Sequence, residues 1–450
     1  MHSEVQSVIE QALSKRPLLF CGSRSVNALP LLDRGWLDSI LSLSAPLKEP
    51  GVYQLCLEQL TGLRVDGNTY SLDSVYESSI TEYTSVLEDR LKQPSTIVIF
   101  RPTYLIETII TANHVDSLVL ANPAAMQTAF EYKPWVESSI GRLGVRTIPW
   151  KTFLAHELRA CFHTLQFPFV ARASRSEGGS HVWLMQDPGD LSELDGLPPS
   201  AHISVSPLLS PSVSINIHAV VYASGNVSLH PPSFQILGDP LLTNWRFGYC
   251  GNDFGAVRNL DAEVLIESEI IVRAVGKWLC KWGYLGVFGV DLLIHDGIVY
   301  FVELNARFQG SSVLADQLDQ QMGRPGVFAM HLAAFLGFDG SDDLALDVLV
   351  KNQPVAAFTN QLNTDNQPTQ WLGWSDAADT QNVLAVPDAH TAVAPSAIMY
   401  QVIFDSEIAD ANGAIKPSAR KRLKSLADRR DLKPLDAETA HESQENLAKN

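Results

Sequence analysis

The sequence predicts a multidomain protein that combines the α/β and α+β fold classes. Its 450 residues amount to about three domains of ordinary size. Near the N-terminus, strand-like runs alternate with polar stretches that can form helices, which is typical of a parallel α/β sheet. Further along, pairs of apolar runs flank glycine-containing turns and indicate antiparallel hairpins. With 46% hydrophobic residues, the chain can bury a sizeable core.

Residues 1–122 are predicted to form a first domain around a small parallel sheet. Strands are expected over 17–21, 96–100 and 117–120, with helix-capable stretches between them. The turn over 22–24 (Gly-Ser-Arg) follows the first strand and is a weak candidate for a phosphate-binding loop. It lacks the spacing of a dinucleotide-binding fingerprint, so an ordinary turn is favoured there.

Residues 123–200 are predicted to form a second unit that contains a glycine loop. A helix is expected over 124–142, and strands over 167–172 and 181–185 enclose Gly178-Gly179. Glycines between two strands let backbone N–H groups approach phosphate oxygens, and such a loop can close over a nucleotide. Taken alone, the loop is equally compatible with a plain hairpin connection.

Residues 201–338 are predicted to form a third unit built on two hairpins. The long helix in this unit is expected because its apolar residues recur at helical spacing and Gly283 follows as a stop signal. The expected elements are a hairpin of 215–222 with 227–230, a helix over 261–282, a hairpin over 284–306, and a helix to 321 that Ser311 and Ser312 cap.

The last part of the chain is predicted to hold a small region and a tail. Residues 339–415 contain short strand-like runs, and no function is assigned to them. Residues 416–450 begin with a run of basic side chains, for which a solvated helix or a frayed end is favoured over a binding surface.

The hairpin over 284–306 carries the strongest chemical signal. Two nearly apolar runs contain the polar side chains of Asp291, Glu303 and Asn305, and Arg307 follows them. Unpaired charge in a buried strand costs several kcal/mol, so these residues need a reason to be there. Hard oxygen ligands beside an arginine fit Mg²⁺ that carries phosphates. A sheet-edge ion pair of Glu303 with Arg307 is the alternative, but it leaves the other two residues unexplained.

The alternation of side chains along the hairpin decides whether Asp291 and Glu303 share a face. A two-residue turn would pair Asp291 with Val302 and point Glu303 the other way. We therefore predict a three-residue loop over 295–297 with a bulge at Gly297, which pairs Asp291 with Phe301. Glu303 then lies diagonally on the same face at roughly 7–8 Å, and Asn305 and Arg307 follow on that face.

The segment from Asp291 to Ser312 resembles the metal-binding end of the ATP-grasp superfamily. Its polar hairpin residues and the following Phe-Gln-Gly-Ser-Ser of 308–312 carry the resemblance. The resemblance implies a pre-ATP-grasp domain over 1–122, followed by two ATP-grasp lobes. It also implies ATP as cofactor, with Glu303, Asn305 and Asp291 as ligands of Mg²⁺, which Mn²⁺ could replace. Arg307 would hold the transferring phosphoryl group.

The resemblance also assigns the nucleotide-binding groups, with two departures. Lys133 lies where these enzymes carry a lysine that touches ATP phosphates, whereas Arg172 stands where a second lysine is usual. The inter-lobe hinge would serve adenine, but no acid occurs over 203–215 to hold the ribose. The full set of expected nucleotide contacts is Lys133, Arg172, Ser176, Gly178, Gly179, Ser204, Val205 and Ser206.

Residues near the substrate end of the cleft follow from the same resemblance. The segment over 249–254 (Tyr-Cys-Gly-Asn-Asp-Phe) resembles one that lies near the substrate in biosynthetic members. The expected substrate contacts are Ser214, Asn216, Gln235, Arg307, Gly310 and Ser311.

The resulting functional hypothesis is an ATP-dependent ligase that activates a carboxylate as an acyl phosphate and joins it to an amine. An amino acid or peptide is the expected acid, in a natural-product pathway. A carboxylase of the same superfamily and a catalytically silent nucleotide-binding protein remain as alternatives. Arg172 and the acid-free hinge support the silent alternative, whereas the intact set of polar hairpin residues speaks against it.

Charge and cysteine content restrict the partners. The formal net charge of −17 argues against nucleic acid or an anionic membrane, and no apolar run is long enough for a membrane span. Five scattered cysteines without a CxxC motif favour a reduced cytoplasmic location and speak against a zinc site. The expected partners are small-molecule carboxylate and amine substrates, and a homodimer is left open.

Overall fold

The computed structural model of the protein describes residues 2–49, 51–67, 71–77, 81–176, 178–340, 344–375 and 379–435. It confirms the multidomain α/β and α+β architecture, in which a parallel sheet is followed by mainly antiparallel sheets. Glu177 of the glycine loop and residues 436–450 of the predicted tail lie outside the described residues. Among the helices of the described part, none is both long and apolar enough to cross a membrane.

A five-stranded parallel sheet forms the centre of the N-terminal domain. The elements of this part are the strands β1 (Leu18–Arg24), β2 (Leu37–Ser44), β3 (Tyr53–Cys56), β4 (Leu63–Arg64), β5 (Thr96–Ile99) and β6 (Leu118–Leu120), and the helices α1 (His2–Leu13), α2 (Leu29–Asp33), α3 (Leu57–Thr61), α4 (Leu72–Glu77), α5 (Thr81–Leu91) and α6 (Tyr104–Ala112). The strand order is β3-β2-β1-β5-β6, which includes the three predicted strands. β1 is central because Leu19 and Cys21 enter one core while Leu18 and Phe20 enter another.

A smaller antiparallel sheet carries the glycine loop. It is preceded by two helices, and the elements are α7 (Ala124–Phe130), α8 (Lys133–Gly141), β7 (Lys151–Leu154), α9 (Ala155–Cys161), β8 (Phe169–Ala173), β9 (Val182–Met185) and β10 (His202–Pro207). The strand order is β7-β10-β8-β9, so the glycine loop joins the two neighbouring strands β8 and β9, as predicted. Phe169, Ala171 and Met185 pack on α9 in a separate small core.

The single helix predicted over 124–142 is wrong in one respect, because the chain breaks at Tyr132. Tyr132 is extended, and Pro134 lies in the first turn of α8. A proline is tolerated there, but inside a continuous helix its ring would clash with the carbonyl of Phe130, four residues earlier. The break therefore follows from Pro134, and it places Lys133 at the start of α8.

A nine-stranded sheet spans the third unit and the C-terminal region. Its first part contains β11 (Val213–Val221), β12 (Val227–Leu229), β13 (Ser233–Leu237), β14 (Tyr249–Asp253), α10 (Ala262–Lys281), β15 (Gly286–His295), β16 (Ile298–Asn305), α11 (Ser312–Gln321), α12 (Val327–Phe335) and α13 (Leu346–Asn352). Both predicted hairpins and the long helix α10 are confirmed. The predicted cap of α11 is not, because the Ser311 hydroxyl makes no cap hydrogen bond and instead contacts Asn216 and His218.

The three-residue loop predicted for the second hairpin is wrong, although the shared face is correct. His295 pairs with Ile298, so Asp296 and Gly297 form a two-residue turn, and both have a positive φ. The extra residue lies further along instead, because the register shifts between Asp291 and Leu292 and leaves Val302 as a bulge. Asp291 therefore lies directly opposite Glu303 rather than opposite Phe301, and the two carboxylates share one face.

The C-terminal region extends the large sheet and reaches back to the N-terminal domain. Its elements are β17 (Ala357–Leu362), β18 (Thr369–Trp374), β19 (Val383–Leu384), β20 (Ala392–Val393), β21 (Ile398–Phe404), α14 (Pro417–Ala427) and β22 (Arg430–Pro434). β17, β21 and β19 continue the nine-stranded sheet, whereas β22, β18, β20 and β4 form a separate four-stranded sheet. The strand β4 of the N-terminal domain is thus paired with the C-terminal region.

The predicted tail is more closely packed than a solvated helix or a frayed end. Ala419, Leu423 and Leu426 of α14 are buried in the main hydrophobic core. β22 pairs with β18 along its length. The basic residues of α14 alternate in sequence with these apolar residues. The helix is therefore amphipathic, with one apolar face in the core.

Candidate active site

One cavity of about 420 Å³ lies where the N-terminal domain, the glycine loop, the hinge and the hairpin meet. Fifteen of the seventeen site residues that the sequence predicts line this cavity. The predicted residues that line it are Lys133, Arg172, Ser176, Gly178, Gly179, Ser206, Ser214, Asn216, Gln235, Asp291, Glu303, Asn305, Arg307, Gly310 and Ser311. Ser204 and Val205 do not line the cavity.

Asp291, Glu303 and Asn305 form the acidic group of the cavity. Asp291 lies opposite Glu303 in the ladder of β15 and β16. The amide nitrogen of Asn305 donates to Oδ2 of Asp291 at 3.1 Å, and that of Asn216 donates to Oδ1 at 2.5 Å. Both amides thus turn their N–H groups toward Asp291, which leaves the amide oxygen of Asn305 available to a further partner.

The electrostatics of this group favour the binding of a cation beside the two carboxylates. Burial and, to a smaller extent, the neighbouring carboxylate of Glu303 raise the pKa of Asp291 to about 6, against the lowering effect of the amide donors. A divalent cation would remove this cost, because it favours the ionised carboxylates. Two carboxylates and one amide oxygen are hard donors that fit Mg²⁺ or Mn²⁺.

The amide is a necessary part of such a metal site. In the part of the chain that the structure describes, no group of three His, Cys, Asp or Glu residues could hold a metal ion. Two carboxylates with Asn305 are therefore the donors that the acidic group offers. Mg²⁺ commonly takes one or two protein carboxylates and completes its shell with water and phosphate oxygens.

Lys133 connects the hairpin to the glycine loop. Its ammonium group lies 3.0 Å from Oε1 of Glu303 and donates to the carbonyl of Ser176 at 2.5 Å. The side chain is buried although it is charged. These contacts place a cation between the acidic group and the loop, where phosphate groups need positive charge.

Arg172 is held more firmly than a simple phosphate contact requires. Its guanidinium forms an ion pair with Glu137, lies 3.8 Å from the ring centre of Trp150, and donates to the carbonyl of Val302 at 3.3 Å. Burial lowers its pKa to about 10, which leaves it protonated at neutral pH. The bulge residue Val302 thus supplies an acceptor for Arg172.

Glu137 and Trp150 are site residues that sequence reasoning missed. Glu137 lies one helical turn after Lys133 on α8, so the two side chains share a helix face. That spacing of four was an available signal. No sequence pattern indicated Trp150, because its position over Arg172 depends on the turn between α8 and β7.

The glycine loop is packed against β14. The N–H of Tyr249 donates to the carbonyl of Gly178 at 3.0 Å, and both glycines have a positive φ. A Cβ atom on Gly179 would collide with the carbonyl of Phe247. Glycine is therefore required at this position by close backbone approach.

The hinge offers backbone groups over a short stretch. Ser204 and Val205 lie between β7 and β8 and pair with both, so their backbone groups are engaged. The ladder with β7 ends at Val205, and Ser206 and Pro207 then line the cavity. Only the end of β10 therefore opens into the cavity, and Leu208 and Leu209 follow it along the cavity wall.

Arg307 lies beside a second arginine and one shared carboxylate. Its Nε is 3.8 Å from Oε1 of Glu131, and Arg101 lies 2.9 Å from the same oxygen. Although burial alone would raise it, Arg101 and Arg307 hold the pKa of Glu131 below its usual value. Glu131 and Arg101 were not predicted, because one lies in the helix break and the other in a different domain.

Comparison with known proteins identifies the class to which this site belongs. A family model described as an ATP-grasp domain matches residues 203–311, which include the hinge, both hairpins and Asp291, Glu303 and Asn305. The chain therefore contains an ATP-grasp domain, for which ATP and Mg²⁺ are the typical cofactors.

Similar proteins extend this likeness beyond the matched domain. The formate-dependent phosphoribosylglycinamide formyltransferase of Nitratidesulfovibrio vulgaris is 23% identical over 259 residues, which are 55% of this chain and 60% of that protein. The biotin carboxylase of Campylobacter jejuni, solved as a β,γ-ATP complex, has a TM-score of 0.62 at 13% identity and covers 96% of this chain and 94% of its own. The L-amino acid ligase of Bacillus licheniformis has a TM-score of 0.57 at 13% identity and covers 94% and 100%. Nearly the whole chain thus shares its fold with these two solved structures.

Proposed function

We propose that the protein is an ATP- and Mg²⁺-dependent ligase that forms an amide. The γ-phosphoryl group of ATP goes to a carboxylate and gives an acyl phosphate and ADP. An amine then attacks the acyl carbon, and inorganic phosphate leaves. The observation that carries the proposal is the acidic group, in which Asp291 and Glu303 face each other across two strands with Asn305 beside them.

The surrounding cations suit phosphoryl transfer. When bound at the acidic group, Mg²⁺ supplies charge neutralisation for the phosphate oxygens. Lys133 and Arg172 bring positive charge from the side of the glycine loop, and Arg307 brings it from the end of β16. Catalysis of this kind depends on positioning and electrostatic stabilisation, so no side-chain nucleophile is needed.

The glycine loop protects the intermediate. An acyl phosphate is hydrolysed by water, so the cavity must be closed while the intermediate exists. The contact of Gly178 with Tyr249 brings the loop over the cavity. We assign this loop the exclusion of water and the orientation of phosphate groups through its backbone N–H groups.

The identity of the acid and amine substrates is a further part of the proposal. The named relatives differ in their acid, since one is a formate-dependent enzyme, one is a carboxylase and one is an amino-acid ligase. We favour an amino acid or peptide acid and a role in specialised biosynthesis. The N-terminal domain and the C-terminal region, which lie outside the matched ATP-grasp domain, are the parts of the chain that support a specialised member.

The proposal is tested by measuring ADP and phosphate release with pooled amino acids, formate or bicarbonate as acids, and by mass spectrometry of the products. Hydroxylamine should trap the acyl phosphate as a hydroxamate. Glu303→Gln should lower ADP release about a hundredfold or more, since it removes a ligand charge at the reacting phosphate. The exposed Glu193 offers the matched control Glu193→Gln, which should leave turnover unchanged.

Two outcomes would redirect the assignment. ADP release that depends on bicarbonate alone, without hydroxamate or amide products, would indicate a carboxylase. No turnover with any acid, together with identical nucleotide binding in Glu303→Gln, would indicate a silent nucleotide-binding protein.

A further inference from the structure

Arg24 lies in the cavity but is not used by the proposed phosphoryl transfer. It is the last residue of β1, the central strand of the N-terminal sheet, and it comes from a different domain than Lys133, Arg172 and Arg307. In the order β3-β2-β1-β5-β6, the chain moves outward from β1 to β3 and then returns to the other side at β5. Such a reversal creates a crevice at the carboxyl ends of the strands, where open α/β sheets bind ligands.

The guanidinium of Arg24 has unused hydrogen-bonding capacity. Its Nη2 atom is buried and has no hydrogen-bond partner among the described residues. The nearby carboxylate of Glu58 is already engaged, because Arg64 donates to both of its oxygens at 2.8 Å and the N–H of Ala45 donates at 2.8 Å. A buried cationic donor without an acceptor is costly, so a ligand that supplies an anion would remove this cost.

Arg24 lies in the same cavity as the acidic group of the hairpin but is not part of that group. Arg24, Tyr249 and Asp291 line the same cavity, so the Arg24 guanidinium and the acidic group of the hairpin open into one space. Tyr249 also packs closely on Gly310, where a Cβ would lie 3.3 Å from its ring. In the proposed function, Lys133, Arg172 and Arg307 contact the phosphate groups of ATP. Arg24 is therefore available to bind an anionic group of a substrate.

We propose that Arg24 forms an anion-binding subsite that takes a carboxylate or phosphate group carried by the amine substrate, distinct from the carboxylate that is activated at the hairpin. The assignment to the amine rests on the proposed function, whereas the anion site itself does not. A planar fork of donors suits either anion, because both accept two parallel hydrogen bonds from a guanidinium.

The test compares three small amines that differ in their second group. Ethanolamine has no anion, glycine has a carboxylate, and O-phosphoethanolamine has a phosphate. Each is titrated into the full chain with Mg²⁺ and a non-hydrolysable ATP analogue, and the rise in unfolding temperature is measured. We expect glycine or O-phosphoethanolamine to act at about tenfold lower concentration than ethanolamine, and the better of the two identifies the anion.

Variants locate the effect at Arg24. Arg24→Gln should remove the preference for the anionic amine while nucleotide-induced stabilisation persists, and Arg24→Lys should retain part of it. Arg142→Gln changes an exposed arginine outside the cavity and should leave the preference intact. Equal responses to the three amines, no response to any of them, or an unchanged preference in Arg24→Gln would overturn the proposal. Because the readout is binding, it stands even where ATP turnover fails.

Discussion

At the scale of single residues, the site contains two neighbouring carboxylates but only one lysine that contacts them. Asp291 and Glu303 face each other, and the lysine that approaches them contacts only Glu303. Arg172, by contrast, forms an ion pair with Glu137 and lies over the ring of Trp150. The sequence could predict the types of these residues and their chemistry. It could not predict the partners of Arg172, because those depend on how α8 and the 147–150 segment cross β8.

The raised pKa of Asp291 leads to a pH prediction. Its pKa of about 6 in the folded protein lies above the usual value of about 4, so the folded state holds a proton that the unfolded state has lost between these values. Without divalent metal, the free energy of unfolding should therefore fall as the pH rises from about 4 to 6. Asp291→Asn should remove this slope in chemical denaturation series at several pH values.

Metal binding should show the opposite dependence on pH. The ion must displace the proton from Asp291, so the affinity for Mg²⁺ should fall about tenfold per pH unit below 6 and level off above it. Calorimetric titration of the protein with Mg²⁺ and ADP measures this directly. An affinity that does not change between pH 5 and 7 would exclude Asp291 as a ligand that ionises on binding.

At the scale of secondary-structure elements, the hairpin of β15 and β16 shows what a sequence pattern leaves undetermined. The shared face requires one extra residue, and the parity of the side chains is the same whether that residue lies in the turn or in the strand. Asp-Gly, however, is a preferred pair for a two-residue turn in which both residues have a positive φ. That local preference was the signal that should have moved the bulge from Gly297 to Val302.

The turn geometry makes a quantitative prediction for Gly297. Its φ is +73°, so Gly297→Ala should destabilise the protein by roughly 1–2 kcal/mol, since an L side chain is strained in this region. Gly196 is exposed and does not have a positive φ, and a Cβ there would meet no atom within 4 Å. Gly196→Ala is therefore the matched control, and urea denaturation of both variants should separate them. Equal effects would contradict the two-residue turn.

At the scale of the whole molecule, a buried arginine joins the N-terminal domain to the C-terminal region. Arg64 of β4 is bound to Glu58, and its Nη1 donates to the carbonyls of Ala385 and Met399 at 2.5 and 2.6 Å. No sequence pattern indicates this connection, since β4 and β20 are two residues long and lie more than 300 residues apart. The parallel N-terminal sheet, by contrast, was predictable from its long apolar runs.

The buried pair of Glu58 with Arg64, whose arginine joins the two regions, should be far more important for stability than an exposed ion pair between them. Glu58→Gln leaves the buried charge of Arg64 without its counter-ion and should cost roughly 3–5 kcal/mol in the free energy of unfolding. Lys48 and Asp388 also join the two regions at 2.7 Å, but both are exposed. Asp388→Asn should cost less than about 1 kcal/mol, as measured by urea denaturation of both variants.

The contact between the glycine loop and β14 has a consequence for the kinetics of the proposed reaction. Gly178 is hydrogen-bonded to Tyr249, and Gly179 lies against the backbone of Phe247. ATP must therefore enter by separating two surfaces that already touch, and ADP must leave by the same route. Loop movements of this kind take microseconds to milliseconds and limit turnover in many enzymes. In this protein, the residence time of ADP would be set by the rate at which the loop separates from β14.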